Sequence, residues 1–315
     1  MSRFIVSRSQ LHLMVEQERS RWVVYATLVL VMMLWAGNSI VARAVHDEIG
    51  PFSLAFFRWL GATSIVLPFA ARGLLAERGV IGRHWRPILL LGVVGVGAFN
   101  ALLYSGLQYT TATNGLLIQA GIPTFVLIFD RILFGTRPRQ AAVVGVAVSA
   151  IGVATIVFRA DPAALLALRF GIGDVLILAG VLAWSLYTAL LRTRPPLSGT
   201  SFLAVTFLIG AVVMFPFAAW EWSVRPLRFS HEVILAIAYV AVLPSTVAYY
   251  LFNRAVADIG AASAGNMISL QPLLGALLAA PILGEDLHAY HAVGILLISS
   301  GIVISLRKRP VLATG

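Results

Sequence analysis

The chain has 315 residues, of which 59% are hydrophobic and 11% are charged. Soluble globular domains average roughly 25% charged residues, so this composition excludes an ordinary soluble domain and indicates a chain that lies in lipid. Cysteine is absent, which excludes a disulfide framework, a thiolate metal site and a cysteine nucleophile. The formal charge of +10 would suit a nucleic-acid binder, but the arginines fall in short gaps between apolar runs. We therefore expect no nucleic-acid partner.

Apolar stretches of about 20 residues, the length that crosses a bilayer as a helix, occur ten times along the chain. Unpaired backbone groups are costly in lipid, so each stretch must be helical. The first stretch is too long for the apolar part of a cleaved signal peptide, and we expect it to remain as a span. The ten predicted spans cover residues 22–44, 51–72, 87–108, 110–134, 139–158, 171–192, 201–220, 232–253, 261–283 and 288–306.

The basic residues predict how these spans are oriented. With the N-terminus in the cytoplasm, 17 of the 23 lysines and arginines fall on the cytoplasmic side, which is the bias that membrane proteins show. Because ten is an even number, the C-terminus is then cytoplasmic too. The sequence thus predicts an inner-membrane protein with a cytoplasmic tail at residues 1–21, a periplasmic linker at 159–170 and a second cytoplasmic tail at 307–315.

The chain matches itself when it is shifted by 149 residues without gaps. Trp35 falls on Trp184 and Pro123 on Pro272, and several glycines agree at the same offset. Each half then contains five spans, and because five is odd, the second half enters the membrane from the opposite side. Inverted repeats of this kind are typical of secondary transporters, which bind substrate near the midplane between the halves. The two repeats cover residues 22–158 and 171–306.

Aromatic and polar side chains recur on one helical face of the first and sixth spans. A tryptophan in mid-span argues against anchoring at the membrane interface, although the polar groups could also join packed helices. A glutamine lies near the proline of the fourth span and of the ninth, where proline frees a backbone carbonyl. The predicted substrate-binding residues are Trp35, Asn38, Ser39, Gln119, Trp184, Tyr187, Thr188 and Gln271.

An asparagine and a tyrosine also occur together in the third span and again in the eighth. The repeat aligns Asn100 with Tyr249 and Tyr104 with Asn253, so the two residue types are exchanged between the halves. We predict that Asn100 and Tyr104 frame the outer entrance of a cavity. Tyr249 and Asn253 would then frame its inner entrance. The alternative is an aromatic belt with ordinary helix contacts.

Charged residues are nearly absent from the middle of the spans. No Asp, Glu or His lies there, and Arg58 is the one charge well inside a span. Ion-coupled carriers commonly keep such an acid or histidine in the bundle, so we expect transport down the substrate's own gradient through an uncharged cavity. Arg58 would reach toward the interface or bind a carbonyl, and a role in substrate binding is the alternative. Common metalloprotease, hydrolase and phosphate-loop motifs are missing, so we expect no enzyme, cofactor or metal site.

Short motifs add a resemblance to a known family. The Leu34-Trp35-Ala36-Gly37-Asn38-Ser39 stretch and the Leu283-Gly284-Glu285 turn, in a chain of ten spans and two halves, resemble the drug/metabolite transporter superfamily. More narrowly, the chain resembles EamA-type members and, among them, YddG-type bacterial exporters of aromatic amino acids. The resemblance covers nearly the whole chain. It implies a basket of helices around a central cavity that opens alternately to the two sides of a bacterial inner membrane, with export from the cytoplasm.

Tryptophan, tyrosine and amide side chains around one cavity suit a ligand with a flat apolar part and a compact polar part. Rings can stack on tryptophan, and amides can both donate to a carboxylate and accept from an ammonium group. We therefore predict export of small metabolites, most specifically aromatic amino acids or related amphipathic molecules, with lipid as the other partner. Cation–π attraction keeps a multidrug or organic-cation exporter open, and a non-transporting scaffold or receptor is a third interpretation.

Overall fold

A computed structural model describes residues 8–110, 115, 118–157, 161, 163, 171–283 and 289–306. Apart from short turns, these residues are helical, and none of them lies in a β-strand. Most of the predicted linker, the C-terminal tail and the turn at Gly284 and Glu285 lie outside the described residues. The predicted N-terminal tail and the first span form one continuous helix from Arg8 onward.

The helices follow one another in the same order in the two halves. The first half contains α1 (Arg8–Ala44), α2 (Pro51–Arg83), α3 (Trp85–Leu91), a π-helical segment (Gly92–Ala98), α4 (Phe99–Tyr109), α5 (Ile122–Phe134) and α6 (Gln140–Val157). The second contains α7 (Ile172–Leu190), a 3₁₀ turn (Leu191–Thr193), α8 (Gly199–Val224), α9 (His231–Val240), a π-helical segment (Ala241–Val247), α10 (Ala248–Ile259), α11 (Ala261–Asn266), a 3₁₀ turn (Met267–Leu270), α12 (Gln271–Leu283) and α13 (Ala289–Leu306).

Six of these helical stretches are long and apolar enough to cross a membrane, within the part of the chain that the structure describes. They correspond to the first three predicted spans of each half. Two shorter apolar helices, Gln140–Thr155 and Ala292–Ser305, correspond to the last span of each half. The all-helical membrane fold is therefore confirmed, and the count of ten spans stays a prediction.

The predicted fourth and ninth spans are interrupted at equivalent places. Helices α5 and α12 have 13 residues each, and each begins one residue before a proline, Pro123 or Pro272. Proline lacks an N–H and fits the first turn of a helix better than its interior. The repeat thus preserves helix defects as well as helices, and the two π-helical segments are also separated by the same 149 residues.

Contacts between equivalent helices show that the repeats are inverted. A Cβ atom on Gly152 of α6 would lie 2.9 Å from the carbonyl oxygen of Gly294 in α13, and one on Gly145 would meet the carbonyl of Gly301. Residue numbers rise along one helix as they fall along its partner, so the two helices are antiparallel. Glycine allows this approach because it has no side chain.

Helices α2 and α8 also run antiparallel, and each one carries a glutamate that caps the N-terminus of the other. Glu221 accepts hydrogen bonds from the backbone N–H and hydroxyl of Ser53, and Glu77 accepts from the backbone N–H of Ser198 at 2.9 Å. Helix N-termini present unpaired N–H groups and favour negative charge. The reciprocal caps hold the second span of each half against the other half.

Large apolar side chains cover much of the outer surface of the bundle. Phe69, Ile132, Leu296 and Trp220 are exposed, whereas Trp184 near the centre is 2% exposed. A soluble monomer rarely exposes apolar area on this scale, but lipid is the natural contact for it. Lipid therefore surrounds the helices, and the polar and aromatic groups of the interior face each other.

Candidate functional site

Contacts between equivalent residues mark the axis that relates the two halves. The rings of Trp35 and Trp184 lie edge to face, with centroids 5.0 Å apart and planes at 86°. The side-chain amide of Asn100 donates a 3.4 Å hydrogen bond to the hydroxyl of Tyr249. Each pair is separated by the repeat distance of 149 residues. Equivalent residues can touch only close to the axis, so these four buried side chains lie next to it.

A small cavity lies at this axis and receives side chains from both halves. Its volume is about 20 Å³, far below the roughly 300–1,000 Å³ of typical ligand pockets. Glutamine and isoleucine exchange places in its wall, because the repeat aligns Gln119 with Ile268 and Ile122 with Gln271. The cavity is lined by Trp35, Asn38, Ser39, Arg58, Phe99, Asn100, Leu103, Gln119, Ile122, Trp184, Tyr249, Ile268 and Gln271.

Most of the predicted substrate-binding residues lie in this wall, and their role in binding stays a prediction. Tyr187 and Thr188 do not line the cavity. The hydroxyl of Tyr187 donates to Oδ1 of Asn253 at 2.8 Å, and the hydroxyl of Thr188 donates to the carbonyl of Trp184 at 2.9 Å. The lining members are Trp35, Asn38, Ser39, Gln119, Trp184 and Gln271.

The prediction of an uncharged cavity is wrong, because Arg58 lies in its wall. This side chain does not reach the interface and is only 1% exposed. Its Nε donates to the hydroxyl of Ser245 at 2.6 Å. Its Nη1 lies 2.8 Å from Oδ1 of Asn38, 2.9 Å from Oδ1 of Asn100 and 2.6 Å from the hydroxyl of Tyr104. A guanidinium therefore stands at the centre of the bundle, bound by neutral oxygens.

A helix defect positions one group that binds Arg58 and one that binds Trp35. Pro244 lies in the second π-helical segment and has no N–H, so a carbonyl of the preceding turn is freed. The hydroxyl of Ser245 donates to the carbonyl of Val240 at 2.7 Å while it accepts from Arg58. The carbonyl of Pro244 in turn accepts from Nε1 of Trp35 at 3.0 Å. The widened turn of the second half thus binds Trp35 and Arg58 of the first half.

The structure pairs the four predicted entrance residues differently from the sequence prediction. The hydroxyl of Tyr104 donates to Oδ1 of Asn38 at 2.8 Å, and Asn253 accepts from Tyr187 as described above. The repeat aligns Asn38 with Tyr187 and Tyr104 with Asn253, so the same bond occurs twice with the residue types exchanged. The other two, Asn100 and Tyr249, meet at the axis. All four predicted entrance residues are buried, and a gating role for them stays a prediction.

The buried carboxylates lie away from this centre. Asp130, near the C-terminal end of α5, forms an ion pair with Arg192 at 3.1 Å. Asp174, at the start of α7, accepts a hydrogen bond from the hydroxyl of Thr110 at 2.6 Å. A larger cavity of about 170 Å³ lies beside Asp130 and Asn266. These groups join the two halves at helix ends, whereas the tryptophans and Arg58 join them at the axis.

Several cavity residues were missed by the sequence prediction. Phe99, Leu103, Ile122 and Ile268 are apolar, and apolar residues in a membrane helix carry no signal that separates a cavity from a helix contact. Two of them could have been found, because Ile122 and Ile268 are the repeat equivalents of the predicted glutamines.

Comparison with known proteins identifies the family. The model of the EamA-like transporter family matches residues 22–158 and again residues 171–307. The chain belongs to the EamA-like transporter family. The two matches have nearly equal length, as expected for a protein that contains the repeat twice.

Several transporters are similar to this chain over nearly their full length. An uncharacterized transporter of Archaeoglobus fulgidus is 28% identical over 90% of this chain and 96% of its own. A probable terminal-alkyne amino-acid exporter of Streptantibioticus cattleyicolor is 26% identical over 89% of this chain and 92% of its own. One solved crystal structure superposes with a TM-score of 0.72 at 18% identity, over 90% of this chain and 96% of the other. The last likeness concerns the fold alone. Together with the family, these relatives identify a multi-pass membrane transporter.

Proposed function

We propose that this member of the EamA-like family exports amino acids with aromatic or similarly large apolar side chains across a bacterial inner membrane. Substrate would bind at the axis between the two halves, which would open alternately to the two sides, with both termini in the cytoplasm. The observation that carries this proposal is the contact between Trp35 and Trp184 in the wall of a cavity shared by both halves. Inverted-repeat transporters bind substrate at this position.

The rings packed around Trp35 and Trp184 support the aromatic part of the proposal. Phe252 lies 5.0 Å from the ring of Trp35 and 5.5 Å from that of Trp184, between ring centroids. An aromatic substrate that enters this cluster would replace ring contacts worth roughly 0.5–1.5 kcal/mol each beyond their burial. Gln119 and Gln271 offer amide groups that can both donate and accept. Amino-acid export also agrees with the name of the relative from Streptantibioticus cattleyicolor.

The cavity is too small for an amino acid in the conformation described, which is therefore a closed one. Opening would require the hydrogen bonds between Tyr104 and Asn38, or those between Tyr187 and Asn253, to separate or move. These equivalent pairs lie on either side of the axis, so we propose them as parts of the two gates. The gates would open in turn, because the repeat gives each half the same set of motions.

We propose that the substrate gradient drives export. The buried carboxylates Asp130, Asp174 and Glu221 lie near helix ends and bind Arg192, Thr110 and Ser53 respectively. They hold the fold together at these places, away from the cavity wall. Coupling to protons would normally use an ionisable acid or histidine at the site itself.

An organic-cation exporter is the second candidate, and the tryptophans favour it through cation–π attraction. Arg58 opposes it, because a second cation in the same cavity would be repelled at low effective dielectric. A scaffold or receptor without transport activity would use the same polar contacts only to hold the helices together. The three interpretations predict different behaviour in liposomes.

Counterflow in liposomes tests the proposal. Purified protein is expected to exchange labelled phenylalanine, tyrosine and tryptophan, and not tetraphenylphosphonium. The variants Trp35→Ala and Trp184→Ala are expected to lose at least about tenfold in rate, since each removes ring contacts at the site. Trp220→Ala is the matched control, because that ring is 60% exposed on the lipid-facing surface. Movement of the cation alone would establish the second candidate, and movement of none of these compounds would favour the scaffold.

A further inference from the structure

The charge of Arg58 has no acidic partner among the residues that the structure describes. Among the described residues, the two ion pairs are Asp130 with Arg192 and His46 with Asp47, and neither touches Arg58. Its four hydrogen-bond acceptors are two amide oxygens and two hydroxyls. The guanidinium also lies over the ring of Trp59, at 4.6 Å from the centroid. Burying a charge without an opposite charge costs several kcal/mol, and neutral dipoles offset only part of that cost.

The guanidinium also keeps donor capacity for a ligand. Its Nε and Nη1 make all the hydrogen bonds given above, and Nη2 makes none with any described residue. Arginine presents five N–H donors in a planar fork that matches a carboxylate. Because Arg58 lies in the cavity wall, a carboxylate in the cavity could bind Nη2 and share Nη1 with the neutral oxygens.

The fold itself does not require a cation at this position. The repeat equivalent of Arg58 is Phe207, which is fully buried against the ring of Trp59 at 5.1 Å between centroids. The equivalent tyrosine–asparagine bond of the second half, Tyr187 to Asn253, receives no hydrogen bond from an arginine among the described residues. An apolar residue thus fills the equivalent position in the second half, so helix packing alone does not account for arginine in the first.

We propose that Arg58 binds the carboxylate of the transported substrate and that the EamA-type cavity of this chain therefore selects carboxylates over amines. This inference rests on the proposed transport function and specifies its substrate class. A bound carboxylate supplies the missing opposite charge, and its two oxygens can accept two parallel N–H bonds from the guanidinium fork. The apolar part of the substrate would then lie on Trp35 and Trp184.

Binding in this way would also loosen the closed state. Three of the present acceptors, Asn38, Asn100 and Tyr104, belong to the first half, and Ser245 belongs to the second. A carboxylate that takes Nη1 competes with Tyr104 and Asn38, which form the proposed gate of one side. The substrate would thus favour the open conformation by its differential affinity for it.

The experiment compares four compounds with the same ring in liposomes that contain the full chain. Phenylalanine and 3-phenylpropionate carry a carboxylate, whereas phenylalaninamide and phenethylamine do not. We expect both carboxylates to compete with labelled phenylalanine in counterflow and the other two to compete at least about 100-fold less well. Arg58→Gln should remove this preference, and Arg58→Lys should keep part of it, since lysine retains the charge without the fork. Arg86→Gln is the control, because Arg86 is an exposed arginine.

The outcomes separate this inference from the function on which it rests. Equal competition by all four compounds in the wild type, with active exchange of phenylalanine, would overturn the role of Arg58 and leave the exporter in place. The role of Arg58 would also be overturned if Arg58→Gln keeps the wild-type preference while size exclusion and thermal unfolding show that the variant is folded. If no compound is exchanged, both proposals fail. If Arg58→Gln does not fold, the four compounds on the wild type and the preference of Arg58→Lys still test whether Arg58 binds the carboxylate.

Discussion

The two halves of the molecule have the same backbone and different chemistry at the centre. Helix breaks, π-helical segments and packing glycines recur at an offset of 149 residues, and so does the tyrosine–asparagine bond. At two central positions, however, the residue types differ: Arg58 of the first half corresponds to Phe207 of the second, and Ser245 of the second half corresponds to Val96 of the first. The repeat thus fixes how the halves pack, and we propose that a few unmatched side chains determine what the centre can bind.

Close to the axis, the geometry permits one buried guanidinium but not two equivalent ones. Residues close to the axis face their own equivalents, as Trp35 faces Trp184. Two guanidinium groups in equivalent positions would both approach the same small cavity and repel each other. In the proposed mechanism one arginine would reach a central ligand whichever side is open, while Phe207 packs against Trp59 at the equivalent position. The asymmetry is therefore compatible with alternating access by symmetric motions.

Moving the charge to the other half should have the largest effect. The double exchange Arg58→Phe with Phe207→Arg keeps the composition, but an arginine at position 207 would meet Val96 where Arg58 meets Ser245. We expect phenylalanine counterflow to fall more than about 100-fold, because a buried charge that loses its acceptors is strongly unfavourable. Phe207→Leu alone should stay within about threefold of wild type, since it changes only apolar contacts.

Unchanged transport by the exchanged protein would break the comparison, because it would mean that the position of the charge does not matter. Loss of the folded protein in detergent, measured by size exclusion, would be separated from loss of transport by reconstituting only the monodisperse fraction. The control variant and the exchanged protein are compared at equal amounts of reconstituted protein.

Removing one hydroxyl from each half gives a finer test. Tyr104→Phe removes a group that accepts from Arg58 at 2.6 Å and donates to Asn38, whereas Tyr187→Phe removes a neutral bond to Asn253. Charge-assisted bonds are worth roughly 1.5–3 kcal/mol and neutral ones about 1 kcal/mol. We expect transport of phenylalanine to fall about tenfold in the first variant and only about two- to threefold in the second. Equal losses would show that the charge does not distinguish the two pairs.

Sequence alone reveals the repeat and the membrane fold because both depend on strong local signals. Prolines such as Pro123 and Pro272 lie where helices must begin, and glycines such as Gly152 lie where backbones touch. Substituting either type is costly in a packed membrane helix, so their spacing carries the architecture. The interrupted fourth and ninth spans were less accessible, since an apolar run of sufficient length looks the same whether or not the helix is continuous.

The centre could be predicted only in part, because its decisive contacts join residues that are far apart in the chain. Arg58 meets Asn100 after 42 residues and Ser245 after 187, and no periodicity encodes such distances. From its sequence position, Arg58 could equally have extended toward the membrane surface. The repeat did hold one clue, since an arginine opposite a phenylalanine at the 149-residue offset indicates a role that the fold does not share between halves.

The smallest expected difference concerns the two tryptophans at the axis. Nε1 of Trp35 donates to the carbonyl of Pro244 at 3.0 Å, whereas Trp184 makes ring contacts and donates to none of the described residues. Trp35→Phe and Trp184→Phe keep an aromatic ring in each place, so their difference isolates the hydrogen bond. A buried carbonyl left without its donor costs about 1–3 kcal/mol. Trp35→Phe should therefore lower the free energy of unfolding in detergent by about that much more than Trp184→Phe, and the opposite order would show that ring packing alone sets the asymmetry of the pair.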